Sequence, residues 1–163
     1  LKSAVFSVNG TDNELKLITD YGYELGVAFQ IRDDIFDYSP SIDTGKPYGE
    51  DIRERKITLP LIEAFGVAGA EERMNIINLL LSTSFGNKET EDNLVNRVFL
   101  FVEQYNGIAS AEKKLAGHSI KAVGLVNSLQ AELERRLGSL SAAQIKALEA
   151  LRVLAVFVGK RKS

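Results

Sequence analysis

Apolar residues recur three or four positions apart along most of this chain, a period that belongs to a helix and not to a strand. Leu15, Ile18, Tyr21, Leu25, Phe29 and Ile35 set the pattern, with one longer step. Leu115, Ala122, Val126, Leu129, Leu133 and Leu137 repeat it further on. Strand signals are nearly missing: Val, Ile and Thr do not alternate with polar residues for long, and no Asn-Gly or Asp-Gly turn joins two such runs. Helix starts are marked by two capping boxes, Thr11 with Glu14 and Ser141 with Gln144, whose side chains satisfy orphan amides of a first turn. The pattern predicts helices over 11–38, 58–65, 70–81, 91–105, 108–137 and from 141 through 158. Lys160, Arg161 and Lys162 then place cations at a helix C-terminus, where the dipole favours them. The expected fold class is an all-α bundle.

Composition narrows the function. The 163 residues are 45% hydrophobic and 26% charged, the proportions of a globular chain of one domain or a large piece of one. Lys and Arg total 20 against 22 Asp and Glu, so no basic field exists to hold a nucleic-acid backbone or an anionic membrane. Cysteine is absent, which removes thiol nucleophiles, cysteine-based zinc sites and disulfides together. A reducing cytoplasm is the default compartment, and no apolar run approaches the ~20 residues of a membrane span. The chain opens Leu1-Lys2-Ser3-Ala4 without an initiator Met and reads as a helix entered partway, so it is expected to be a piece of something longer.

Between the first two helices, residues 39–55 read SPSIDTGKPYGEDIRER, with two of the three prolines and almost nothing apolar. A loop of this length inside a compact domain is usually functional or disordered. Just before it comes Gln30-Ile31-Arg32-Asp33-Asp34-Ile35-Phe36-Asp37. Asp33 and Asp37 are four apart and Asp34 and Asp37 three apart, so the three carboxylates share roughly one helix face. Their neighbours Val27, Ala28, Phe29, Ile31, Ile35 and Phe36 are apolar. Burying unpaired carboxylates costs several kcal/mol each, so something positive is needed beside them. A hard divalent cation with oxygen ligands answers that need, and Mg²⁺ typically takes one or two protein carboxylates and completes its shell with water and phosphate oxygens. A solvated acidic patch is the alternative, and the apolar flanks argue against it. Downstream, Lys46 and Lys56 stand beside Gly45, Gly49 and Asp51; glycine lets backbone approach a ligand closely, and lysine offers phosphate a point charge.

The run from Gly22 through Phe29, Gln30, Asp33, Asp34, Asp37 and Tyr38, then Gly45-Lys46, Gly49-Glu50-Asp51 and Lys56-Ile57-Thr58-Leu59-Pro60, resembles the trans-isoprenyl diphosphate synthases, or polyprenyl synthetases, at their second aspartate-rich motif. Lys2-Ser3-Ala4 is similar to that family's Lys-Thr-Ala helix, with Ser for the usual Thr, and the resemblance spans nearly all of the chain. It implies a bundle of the isoprenoid synthase type, here the C-terminal half of a single helical domain covering 1–163, with the first aspartate-rich motif expected upstream of Leu1. The implied reaction ionises an allylic diphosphate with the help of Mg²⁺ and joins it to isopentenyl diphosphate, extending a trans-prenyl chain. By similarity Asp33 ligates Mg²⁺ directly, and Asp34 and Asp37 do so directly or through metal-bound water. Lys2, Lys46 and Lys56 contact the allylic diphosphate, and Gln30 lies near the reacting carbons or the diphosphate. Phe29 is read as core.

Only one Asp-Asp pair exists in the chain, so these residues alone are expected to bind metal-diphosphate weakly and to turn over nothing. Two other readings stand beside the enzyme: a non-catalytic small subunit of a heteromeric synthase, and a class I terpene cyclase. The cyclase is disfavoured because the Gly45-Lys46 loop and the Lys56-x-Thr58-x-Pro60 block are synthase features. His118, the single histidine, is expected in a surface or packing role, and Glu132, Glu134, Arg135 and Arg136 on a solvated face. Apolar stripes at 115–137 and 145–158 are core or a subunit interface, and a homodimer is the expected assembly.

Overall fold

A computed structural model of the chain describes residues 10–38, 49–83 and 86–160. Lys2, Lys46, Arg161 and Lys162 lie outside the described residues. The described residues form seven helices and no strand: α1 (Asp12–Phe36), α2 (Glu50–Arg53), α3 (Leu59–Val67), α4 (Ala70–Ser82), α5 (Lys88–Gln104), α6 (Gly107–Leu137) and α7 (Ala142–Lys160). The fold is all-α as the apolar period predicts, and every predicted helix end falls within three residues of the observed one. No helix among the described residues is long and apolar enough to cross a membrane. Contacts divide the chain into two compact units, of which the described residues 10–30 and 114–160 form one and 31–113 the other.

In the first unit, the capping box at the start of α1 is formed as read. The Thr11 N–H donates to Glu14 Oε2 at 2.9 Å, and the Glu14 N–H donates to Thr11 Oγ1 at 3.2 Å. Glu14 is only 2% exposed, and the Arg136 guanidinium donates to its two carboxylate oxygens at 2.7 and 3.2 Å. The solvated-face expectation holds for Glu134, Arg135 and Arg136, which are exposed, while the Glu132 side chain is 16% open; Arg136 nonetheless reaches in to buried Glu14, and Arg135 is bonded to Glu132 at 2.6 Å. Removing one partner of a buried pair strands the other charge. Arg136→Ala is accordingly expected to cost about 2 kcal/mol, read as a lower thermal midpoint by circular dichroism, whereas Arg135→Ala at the surface should leave it nearly unmoved.

The core of this unit gathers Ile18, Tyr21, Ala122, Val126, Leu129, Leu148 and Ala155. Tyr21 buries its ring and donates its hydroxyl to the Leu151 carbonyl at 2.9 Å, and Ser119 donates to the Ala155 carbonyl at 2.8 Å. His118 Nδ1 lies 2.6 Å from Glu24 Oε2, so the lone histidine is partnered. Phe29 departs from its core reading: it is 48% exposed. Its neighbour Ala28 is fully buried instead, and one residue further along a helix is a turn of about 100° about its axis. The far end of the α6 stripe is likewise open, with Leu137 exposed.

The second unit is built on α5, whose Leu94, Val95, Val98, Phe101 and Val102 fall at helical spacing and are all buried. Each such side chain contributes roughly 1.5–3 kcal/mol on leaving water. Against them pack Tyr38, Ile52, Leu61, Ala64, Ile76 and Leu80. Tyr38 stacks on Phe99 with centroids 6.3 Å apart, and Phe101 meets Phe65 and Tyr105. The described end of the predicted 39–55 loop is not structureless, because Glu50–Arg53 form the short helix α2. Ile52, fully buried in the core, supplies the apolar anchor, and Arg53 is tied to Asp92 of α5 at 2.7 Å. Gly49 precedes α2 at φ +72°, and a Cβ there would meet Val95 Cγ1 at 2.5 Å, so only glycine fits both the backbone and the space.

Candidate functional site

The helix carrying the acidic motif stops at Phe36, two residues short of the predicted end. The Tyr38 N–H closes back on the Ile35 carbonyl at 3.1 Å, and Tyr38 then drops into the core. Asp37 thus lies in the turn just past the last helical residue. Its carbonyl accepts the Gly49 N–H at 3.1 Å, and its Oδ1 accepts the Asp51 N–H at 3.1 Å. Gly49 has no side chain to cap α2, and a carboxylate from fourteen residues upstream does so instead. Asp37 Oδ2 is buried and has no hydrogen-bond partner among the described residues. Burial raises the Asp37 pKa and the nearby Asp51 carboxylate raises it further, while backbone N–H groups of Asp51, Ile52 and Glu50 oppose the rise.

Asp34 caps the next helix in the same way. Its Oδ2 accepts the Leu59 N–H at 2.9 Å, at the first turn of α3, where Thr58 makes no side-chain cap. The Thr58 hydroxyl is used elsewhere: it shares a buried 2.9 Å hydrogen bond with the Tyr38 hydroxyl. Burial pushes the Tyr38 phenol up, the Thr58 bond opposes this, and the carboxylates of Asp37, Asp34 and Asp51 add to it, so the phenol keeps its proton. Asp33 is different again. Its side chain is 47% exposed, with Arg32 Nη2 at 3.9 Å. The desolvation argument for the motif therefore holds for Asp37 and fails for Asp33, whose carboxylate faces water.

Lys56 begins the segment that leads into α3. Its Nζ reaches Asp51 Oδ1 at 2.9 Å and Glu54 Oε2 at 2.7 Å, and these two carboxylates raise its pKa. Arg55, just before it, has a left-handed backbone at φ +59° and donates from Nη2 to the Thr83 carbonyl. Gln30 is exposed on α1, one turn before Asp34. The structure thus draws Asp34, Asp37 and the 49–59 segment together, keeps Asp33 on the surface near them in sequence, and pairs Lys56 with carboxylates of its own loop. Lys2 and Lys46 fall outside the described residues. Among the described residues no three His, Cys, Asp or Glu side chains form a ready metal cluster. The hydroxyls of Tyr38 and Thr58 are not among the site residues that spacing names, since a contact across twenty residues leaves no local signal.

The helical fold is shared with solved prenyl synthase structures. A geranylgeranyl pyrophosphate synthase structure superposes with a TM-score of 0.78 at 24% identity, covering 99% of this chain and 46% of that one. A polyprenyl synthase from Caulobacter crescentus, complexed with calcium and isoprenyl diphosphate, superposes at 0.74 and 24% identity, over 99% of this chain and 44% of the other. The polyprenyl synthetase family profile matches residues 1–98, and the chain belongs to that family. Octaprenyl diphosphate synthase from Haemophilus influenzae is 30% identical over 142 residues, 86% of this chain and 41% of the relative. The chain spans less than half the length of the curated relatives it matches.

Proposed function

We propose that this chain supplies the portion of a trans-prenyl diphosphate synthase that bears the second aspartate-rich motif. The whole enzyme would join isopentenyl diphosphate to an allylic diphosphate and so lengthen a trans-prenyl chain. The observation that carries this reading is the Asp33-Asp34-x-x-Asp37 motif, tied by its own carboxylates to the segment of Lys56, in a member of the polyprenyl synthetase family. Asp33, Asp34 and Asp37 fit a hard divalent cation, because all three offer oxygen ligands and the buried Oδ2 of Asp37 lacks a hydrogen-bond partner among the described residues. Mg²⁺ is the ion of this reading, and when bound it neutralises charge on a departing diphosphate.

The chain's own residues do the rest. Asp33, exposed, is the carboxylate a cation reaches first; Asp34 and Asp37 hold fixed directions because each is bonded to a backbone N–H. Lys2, Lys46 and Lys56 meet the oxygens of the allylic diphosphate, and Lys56 leaves Asp51 and Glu54 to do so. Gln30 borders the diphosphate or the reacting carbons. Charge placed in advance in this way stabilises the departing group without reorganisation at the moment of reaction. The same reading carries a homodimer and a cytoplasmic location.

The test is incubation of the full-length protein with isopentenyl and farnesyl diphosphates and Mg²⁺, with the products sized by chromatography. Prenyl diphosphates longer than farnesyl are expected, and the 163-residue chain alone should consume neither substrate. A full-length protein that leaves both substrates untouched would contradict the reading.

A further inference from the structure

Between the acidic motif and the lysine block the second unit holds one buried hydroxyl–hydroxyl contact. Tyr38 is 1% exposed and Thr58 5%, and their hydroxyls are 2.9 Å apart. Tyr38 is covalently next to Asp37, and Thr58 is covalently next to Leu59, whose N–H is held by Asp34. The pair therefore closes a ring: Asp34 to the Leu59 amide, Leu59 to Thr58, Thr58 to Tyr38, and Tyr38 back along the chain to Asp34. Lys56 leaves this ring two residues before Thr58.

A side chain that orients a carboxylate without touching the ion governs affinity nearly as much as a direct ligand does. Tyr38 is well placed for that work, since its ring is buried in the core and stacked on Phe99. We propose that Tyr38 and Thr58 are positioning residues for the metal-diphosphate site, their shared hydrogen bond setting the spacing between the Asp34–Asp37 carboxylates and Lys56. The inference rests on the prenyl synthase reading and deepens it. Neither side chain is a catalytic residue here; each acts through its neighbours.

The experiment uses the full-length protein with Tyr38→Phe, Thr58→Val and Thr58→Ser, the last keeping a hydroxyl. Binding of inorganic pyrophosphate in the presence of Mg²⁺ is measured by calorimetry, beside the Michaelis constants for both substrates and helix content. Tyr38→Phe and Thr58→Val should weaken Mg²⁺-pyrophosphate about tenfold and raise the Mg²⁺ concentration for half-maximal rate, with Thr58→Ser restored to near the parent. The Michaelis constant for isopentenyl diphosphate should stay put. Unchanged pyrophosphate binding in both variants overturns the inference, as does an equal loss toward both substrates that tracks lost helix content. If the parent protein itself binds no Mg²⁺-pyrophosphate, the prenyl synthase reading fails first and this inference falls with it.

Discussion

Replacing Asp33 by alanine in the full-length enzyme is expected to lower turnover by roughly 10²- to 10³-fold while helix content stays as it is. The size follows from the chemistry: charge stabilisation by a bound metal is worth several kcal/mol, and each about 1.4 kcal/mol is tenfold in rate. The folding half of the expectation follows from the geometry. Asp33 is nearly half exposed, and Arg32 stands 3.9 Å away, beyond hydrogen-bond distance. The Arg32 side chain is buried at 7% exposure, but at 3.9 Å no hydrogen bond joins it to Asp33, so losing the Asp33 carboxylate breaks none between the two. Steady-state kinetics beside far-ultraviolet circular dichroism separates the two effects. Full activity in Asp33→Ala would take Asp33 out of the site.

Asp37→Asn is expected to push function and stability in opposite directions. Loss of the negative charge should cut turnover about a hundredfold in the full-length enzyme, by the same reasoning as for Asp33. Stability behaves otherwise. Burial and the Asp51 carboxylate raise the Asp37 pKa above its unfolded value, so the folded chain holds that proton more tightly than the unfolded chain does. Stability from this group is therefore present in acid, below the ordinary carboxylate range, and is lost as the pH climbs through the raised value. Asparagine carries no charge at any pH, and its oxygen can still accept the Asp51 N–H. The thermal midpoint of Asp37→Asn, relative to the parent and in the presence of a chelator, should accordingly rise as the pH goes from acid to neutral. A midpoint difference that is flat across that interval would remove the desolvation account of Asp37.

Local signals in this sequence read true, and non-local contacts leave no trace in it. Thr11 with Glu14 and Ser141 with Gln144 make the reciprocal bonds that an i,i+3 pattern implies, because every atom involved lies within one turn. Helix α2 gives no periodic signal because its four residues hold a single apolar side chain, Ile52, and no period can be read from one point. Phe29 defeats the core reading because a run of consecutive apolar residues, 27–29, does not say which of them faces in; the neighbours at Ala28 and Ile31 decide it. Arg136 resembles a surface cation in sequence, and its partner Glu14 is 122 residues away. For the site, residue types and spacing single out Asp33, Asp34 and Asp37 but assign the three one shared helix face. Their separation into one solvent-facing carboxylate and two helix caps is made by contacts with backbone N–H groups 14 and 25 residues away, at Asp51 and Leu59, which spacing does not reveal.

The two caps bear on which ion the proposed site would prefer. An oxygen that accepts an amide N–H keeps a second lone pair, but the bond fixes how its carboxylate is turned, so on the proposed reading Asp34 and Asp37 would meet an ion most easily through the other oxygen. Large, flexible cations such as Ca²⁺ readily take both oxygens of a side chain at once, whereas a small octahedral ion takes one and fills its remaining corners with water or phosphate. On the proposed reading, two carboxylates held in fixed directions would favour the smaller ion with no need for a rigid cage.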